Sequence, residues 1–404
     1  MEQYSEYLVI GGGLAGASAV EGIRAVDSKG SVSLVGAENA IPYDRPPLSK
    51  KLWFGKKKVE GIYVHDESFY ERNGVRLVLG RQIAAVYTAE KFVTDRAGER
   101  HRYGKLLLAT GGYPRTLDIP GGNLDGIFYF RTLDDYKRLR QEAAQARSAT
   151  VLGGGFIGSE IAAALSINNL NVTMIYPSDY LCARVFPKDL GLAIEHLYQN
   201  RNVQIMKNDK PVAIDRDGSQ FVIRTGTGRC VTSDLVIAGV GIKPAVELAD
   251  RAGLATGDGI LVDEFLQTSH PDIYAAGDNA RFPYQVLQKP MRLEHWDNAL
   301  NQGKHAGRNM AGAREPFTYM PYFFSDLFEF GYEAVGEVDS RMEIVADWQT
   351  PYQTGVLYYI QNGIIRGAMM CNLWDRVEAA RDLIRRKGRA NERLGPQSTG
   401  AGSA

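Results

Sequence analysis

The sequence predicts an α/β protein: two doubly wound parallel units in one chain, then a smaller α+β part. Three observations carry this expectation. A short apolar run, a glycine-rich loop, an alanine-rich helix and a second apolar run follow one another at 7–35. The same order returns at 149–175, about one domain's length later, as expected for an internal duplication. Past about Phe317 the pattern changes to alternating strands, a hairpin and a short helix.

The elements follow from local chemistry. Residues 7–10, Tyr-Leu-Val-Ile, are a continuous apolar run ended by Gly11, which predicts a parallel strand buried on both faces. A helix is expected over 15–26 and a second strand over 32–35. In the second unit the strand is expected at 149–152, the helix at 159–166 and the next strand at 172–175. Runs 106–109 and 235–238 end in Thr110-Gly111-Gly112 and Gly239-Val240-Gly241, and each reads as the strand that closes its unit. A further apolar run at 273–276 leads into Gly277-Asp278. Near the end, residues 358–365 read as a hairpin turning at Asn362-Gly363, and 375–386 as a helix. The expected domains are 1–114 with 246–316, 115–245, and 317–388, with 389–404 a disordered tail.

Composition excludes several classes of function. The 404 residues exceed one ordinary domain. Lys+Arg and Asp+Glu both number 47, so no global charge points to nucleic acid or an anionic membrane. No apolar run reaches the roughly 18 residues of a membrane span. The first five residues are polar and carry no basic, apolar leader. Three cysteines, Cys182, Cys230 and Cys371, lie far apart, which argues against a disulfide framework and for a reducing cytoplasm.

The two glycine loops carry the first chemistry. Gly11, Gly13 and Gly16 form G-x-G-x-x-G between a strand and a helix. The first glycine permits the turn, the second admits a pyrophosphate against the backbone, and the third lets helix and strand pack. Gly153, Gly155 and Gly158 repeat the signature. Two Rossmann-like loops in one chain imply FAD in one unit and NADH or NADPH in the other. An acid usually ends the second strand and binds the adenosine ribose. Glu38 fills that place in the first unit. The second unit ends Tyr176-Pro177-Ser178-Asp179 without an acid at the strand end, and Arg184 follows. An arginine there would suit a 2′-phosphate, so NADH and NADPH both stay open.

Pro42-Tyr43-Asp44-Arg45-Pro46-Pro47-Leu48-Ser49-Lys50 resembles the signature of ferredoxin-reductase-like flavoproteins. That family, with a glutathione-reductase-like fold, includes putidaredoxin reductase and monodehydroascorbate reductase. Residues 109–112 and 274–278 match in order and spacing, and the resemblance runs from about 7 to about 385. Arg292-Leu293-Glu294-His295-Trp296-Asp297, Phe324-Ser325-Asp326-Leu327 and Gly331-Tyr332-Glu333 look most like the apoptosis-inducing-factor branch.

The resemblance implies roles. Leu14, Ala15, Glu38, Arg45, Lys50 and Ile83 would contact FAD, as would Ala109, Thr110, Gly111, Arg131, Gly277 and Asp278. Asp278 would take a ribityl hydroxyl. His295, Trp296 and Phe324 would lie near the flavin ring. Gly155, Phe156, Ile157, Gly158, Gly241, Glu294 and Glu333 would contact the nicotinamide cofactor. Lys50 and Glu160 would pair at the flavin and carry the catalytic role. Two positions depart from the relatives: Ala37 stands where an acid is common, and Phe324 where tryptophan is usual.

The electrons then need an acceptor. No redox cysteine pair exists, and 41–54 holds no cysteine, so the acceptor is external: a [2Fe–2S] ferredoxin, a quinone-like molecule or oxygen. An acidic ferredoxin would dock on basic surface, either the lysines of 50–58 or Arg381, Arg385, Arg386, Lys387 and Arg389. The alternative function is an NADH-responsive redox sensor with slow turnover. The expected assembly is a monomer or homodimer.

Overall fold

The computed structural model describes residues 3–389, 391, 392 and 394. Its first sheet has seven strands. Val75–Val78, Val32–Val35, Gln3–Ile10 and Arg100–Leu108 lie side by side in parallel, and Ile273–Ala275 adds in parallel to the end of the last. Phe92–Asp95 and Ile83–Tyr87 extend the sheet antiparallel. The first strand begins at Gln3, earlier than the apolar run predicts, because Gln3, Tyr4 and Ser5 pair with His101, Arg102 and Tyr103. Backbone pairing there needs no apolar side chain.

Helix Leu14–Arg24 crosses helix Trp296–Met310 with backbone against backbone. A Cβ on Gly22 would stand 1.9 Å from the Lys304 carbonyl oxygen, and one on Gly303 2.2 Å from that of Ala15. These glycines allow the close approach.

The second unit has a five-stranded parallel sheet in the order Gln204–Lys207, Asn171–Tyr176, Ser148–Leu152, Leu235–Ala238, Ile127–Phe128. Its helix runs Phe156–Ile167, three residues earlier than expected, because Gly155 is the N-cap and the apolar Phe156 and Ile157 already lie in the first turn. A three-stranded antiparallel sheet, Pro211–Asp217, Gln220–Thr225 and Cys230–Ser233, was not anticipated. Its strands mix charged with apolar residues and carry no strong run.

The C-terminal sheet is antiparallel and five-stranded: Tyr322–Leu327, Phe330–Gly336, Ile364–Cys371, Thr354–Gln361, Glu343–Thr350. The hairpin turns at Asn362 (φ 53°) and Gly363 (φ 73°), as Asn-Gly predicts. The last helix spans Val377–Arg385, starting after the left-handed Asp375 (φ 61°). Arg389, expected in the tail, bridges Ile364, and of the remaining tail only 391, 392 and 394 fall within the described residues. Among the described residues no helix is long and apolar enough to cross a membrane.

Candidate functional site

The glycine loops form two open cradles. Gly11 (φ 127°) and Gly153 (φ 116°) adopt backbone that other residues avoid. A Cβ on Gly16 would strike the Gly11 carbonyl oxygen at 2.0 Å, and one on Gly158 the Gly153 oxygen at 2.2 Å, so each helix packs on its own loop. By contrast, a Cβ on Gly13 or Gly155 would meet nothing within 4 Å. These are the middle glycines, and their open side is where a pyrophosphate fits. No side chain caps either helix, which leaves the first-turn N–H groups for an anion. Phe156 and Ile157 are each 37% exposed at the mouth of the second cradle.

Around the first cradle the expected FAD residues form one connected chain. The Tyr43 hydroxyl donates to Glu38 Oε2 at 2.5 Å, and Arg45 Nη2 donates to Glu38 Oε1 at 2.8 Å. Arg45 Nη1 donates to the Arg131 carbonyl at 2.7 Å, and Arg131 Nη2 donates to Asp278 Oδ2 at 2.7 Å. Burial pushes the Tyr43 phenol up, which keeps it a donor. Ile83 is buried at the start of its strand, just after Gly80 and Arg81, whose N–H groups bond the carbonyls of Glu38 and Gly36. Ala109 donates its N–H to Ile10, and the Thr110 hydroxyl donates to the Ala245 carbonyl. A Cβ on Gly111 would face Arg131 at 3.4 Å, and one on Gly277 would touch Ala15 at 3.1 Å. Stretches distant in sequence therefore meet along one path from Glu38 to Asp278.

The reacting end lies where three parts of the chain join. Lys50 Nζ sits 2.9 Å from Glu160 Oε1, and both side chains are almost fully buried. The Ser325 hydroxyl donates to Glu160 Oε1 and the Ser49 hydroxyl to Oε2, each at 2.5 Å. The ammonium also lies 4.7 Å from the Phe324 ring centre. Lys50 is thus an inward-facing cation, distinct from the solvated lysines after it. Trp296 donates its indole N–H to Asp44 Oδ1 at 2.7 Å, which ties its helix to the segment bearing Lys50. The His295 ring lies tilted against Phe323, centres 4.6 Å apart, and burial pushes its imidazole down to about 4 against the opposing pull of Asp278. Glu333 stands opposite Phe324 across the strand pair, and burial, then Asp375, raises its carboxyl. His295 Nδ1 and Glu333 Oε2 are buried polar atoms without a protein partner. The orphaned His295 Nδ1 beside the Phe323 ring suits the polar edge of a planar ring.

Other expected residues sit farther out. Glu294 is exposed and pairs with Arg292 at 2.7 Å. Gly241 (φ 105°) accepts from the Arg115 N–H. Arg184 is exposed, and its carbonyl accepts from the Ser340 N–H. Among the described residues no hydrogen bond joins Arg184 to the glycine loop, although the Cys182 N–H in the same turn donates to Gly154. Arg381 corrects the expectation of a docking cation: it is buried, 3.1 Å from Asp297, and also donates to the Tyr319 hydroxyl and the Met320 carbonyl.

The sequence reading assigned no role to Ser49, Ser325, Tyr43 or Asp44. Three of them stand inside the quoted 42–50 motif, which was their only signal. The cysteines are free: Cys182 and Cys371 are buried and Cys230 exposed, and burial pushes Cys182 up to about 12.

Comparison with known proteins agrees with this geometry. The family described as pyridine nucleotide-disulphide oxidoreductase matches residues 5–303, and the apoptosis-inducing factor C-terminal family matches 306–351. The ferredoxin reductase subunit of 5,5′-dehydrodivanillate O-demethylase from Sphingobium sp. is 33% identical over 359 residues, 88% of this chain and 87% of its own. The solved ferredoxin reductase for the CYP199A2 system of Rhodopseudomonas palustris superposes with a TM-score of 0.90 at 27% identity, covering 95% of each chain. Putidaredoxin reductase, solved in covalent complex with putidaredoxin, gives 0.89 at 30% identity, covering 95% of this chain and 93% of that one.

Proposed function

The chain belongs to the pyridine nucleotide-disulphide oxidoreductase family and is an FAD-dependent NAD(P)H oxidoreductase, and from that premise we propose that it delivers electrons to a [2Fe–2S] ferredoxin. The observation that carries this reading is the buried Lys50–Glu160 pair in a site without a cysteine pair. FAD held in the first cradle would supply the chemistry: uptake of a hydride pair and release of single electrons.

The chain's own residues supply the rest. The Gly11–Gly16 and Gly153–Gly158 cradles hold two pyrophosphates at helix N-termini. Glu38, oriented by Tyr43 and Arg45, takes the adenosine ribose, and Asp278 a ribityl hydroxyl. Lys50 stabilises negative charge arriving at the flavin edge. Glu160, with Ser49 and Ser325, fixes where that ammonium points. Phe156 and Ile157 flank the nicotinamide cofactor. The three free cysteines support a reducing, cytoplasmic setting.

Ferredoxin reductases among the relatives support the acceptor class. The test is anaerobic mixing of the yellow holoprotein with NADH or NADPH, followed by a [2Fe–2S] ferredoxin. Rapid flavin bleaching and ferredoxin reduction over many turnovers are expected. A persistent long-wavelength band with slow turnover on every [2Fe–2S] ferredoxin offered overturns the reading and favours a redox sensor.

A further inference from the structure

The segment that inserts Lys50 turns its other lysines outward. Lys50 is buried, whereas Lys51, Lys56, Lys57 and Lys58 are exposed. Backbone bonds coil the segment: the Trp53 N–H donates to Lys50 at 2.9 Å, and the Lys56 N–H to Lys51 at 3.0 Å. Trp53 lies buried beneath and meets Tyr136 edge-on, ring centres 5.6 Å apart. Tyr136 belongs to helix Leu133–Ala143. One turn further along it, the exposed Arg140 holds its guanidinium 5.1 Å from the Trp53 ring centre. Arg140 also donates to Asn168 Oδ1, and Asn168 Nδ2 donates to the Trp53 carbonyl at 3.3 Å. The lysine segment, Arg140 and the end of helix Phe156–Ile167 therefore make one continuous surface. Ile167 is 42% exposed within it.

Charge on this surface is uncompensated. Neighbouring Lys137, Arg138 and Arg201 are neutralised by Asp134, Glu142 and Glu329. Among the described residues, no carboxylate forms an ion pair with Lys51, Lys56, Lys57, Lys58 or Arg140. Arg140 is held in place by Trp53 and Asn168 and not by an acid, so its charge is both fixed and available.

We propose that this surface is the docking face for an acidic [2Fe–2S] ferredoxin. The proposal rests on the ferredoxin reading above and adds where the partner binds. Clustered cations of one sign attract an acidic protein and orient its approach. The exposed Ile167, next to the Asn168 that holds Arg140, supplies an apolar contact on this surface. The face also lies close to the reacting end: Glu160 and Ile167 share one helix, about 10 Å apart along its axis. One NAD(P)H gives up two electrons, one proton is released to water, and two ferredoxin molecules each take one electron. No bond to the partner forms or breaks.

The test uses holoprotein with putidaredoxin as the probe and neutral benzoquinone as a second acceptor. The variants are Lys56→Glu/Lys57→Glu/Lys58→Glu and, separately, Arg140→Glu. We expect the KM for putidaredoxin to rise about ten-fold or more in the triple variant, with benzoquinone turnover unchanged. For the wild type, raising salt from about 20 to about 300 mM should raise the same KM. Wild-type KM and salt response in both variants would overturn the docking face while leaving the ferredoxin reading intact. Wild-type protein that turns over benzoquinone but reduces no [2Fe–2S] ferredoxin would overturn both.

Discussion

Removing Lys50 has two separable effects. Lys50→Met leaves the Glu160 carboxylate buried with only Ser49 and Ser325 as partners, and should cost about 3–5 kcal/mol of stability. Lys50→Met/Glu160→Gln should recover most of the melting temperature, because no lone charge remains. It should not recover the rate of flavin reduction, since the cation is still missing. Stopped-flow reduction of the double variant at the wild-type rate would exclude a role for the ammonium in the chemistry. His295 gives a pH signature. An unfolded histidine takes up a proton near pH 6.5, whereas the folded one resists until about 4. Stability from this residue is therefore complete above pH 6.5 and is lost as pH falls from 6.5 to 4, by at most about 1.4 kcal/mol per unit. His295→Phe, which keeps a ring against Phe323, should flatten that part of a denaturation-versus-pH curve. At this scale the sequence was legible only in part. Lys50 and Glu160 stand in motifs, but Ser49 and Ser325 lie 111 and 165 residues from the carboxylate they orient. No local pattern marks a hydroxyl whose partner is that distant.

Among the elements, the glycine loops and their flanking strands were the most readable features. Their requirements are local: a positive φ, an absent Cβ, an apolar run of fixed length. The crossing of helices Leu14–Arg24 and Trp296–Met310 was not readable. Gly303 and Gly307 look like weak points in a polar helix until the partner backbone is known. A Cβ on Gly303 would stand 2.2 Å from the Ala15 carbonyl oxygen. Gly303→Ala must push the helices apart, moving Ala15 at one cradle together with Trp296, which is bonded to Asp44. The expected result is a protein purified largely without its yellow colour, and a melting temperature lower by about 1 °C for each kcal/mol lost in a chain of this length. Full FAD content in Gly303→Ala would show that the crossing tolerates expansion. The three-stranded sheet at 211–233 is hard to read for a different reason: only its central strand alternates clearly, with Phe221, Ile223 and Thr225 buried, while its flanking strands are mostly exposed or half-buried.

The whole molecule is held by charges as well as by its apolar cores. Asp297, in the first turn of the helix that begins with Trp296, accepts from the Tyr322 N–H, the Tyr319 hydroxyl and Arg381. One carboxylate thus fixes its own helix, the strand bearing Phe324 and helix Val377–Arg385. Read from sequence, Arg381 belonged to a basic surface run. Its neighbours Arg385 and Arg386 are exposed, and nothing in the local spacing distinguishes the one that turns inward. Arg381→Met should cost about 3–5 kcal/mol by stranding Asp297, and should lower flavin reduction more than NAD(P)H binding. Equal effects on kcat and KM would argue that the ion pair only supports folding.

The Glu160 carboxylate receives Ser49 and Lys50 from the first unit and Ser325 from the C-terminal sheet, while itself belonging to the second unit. The reacting site is therefore a logical conjunction, satisfied only while all three bodies are seated together. The apolar cores are shared in the same way: one runs from Leu48 through Ile161 to Tyr332 and Met369, another from Val9 through Ala306 to Tyr358. Parting the bodies therefore exposes core as it dissolves the site, and activity in this protein measures assembly.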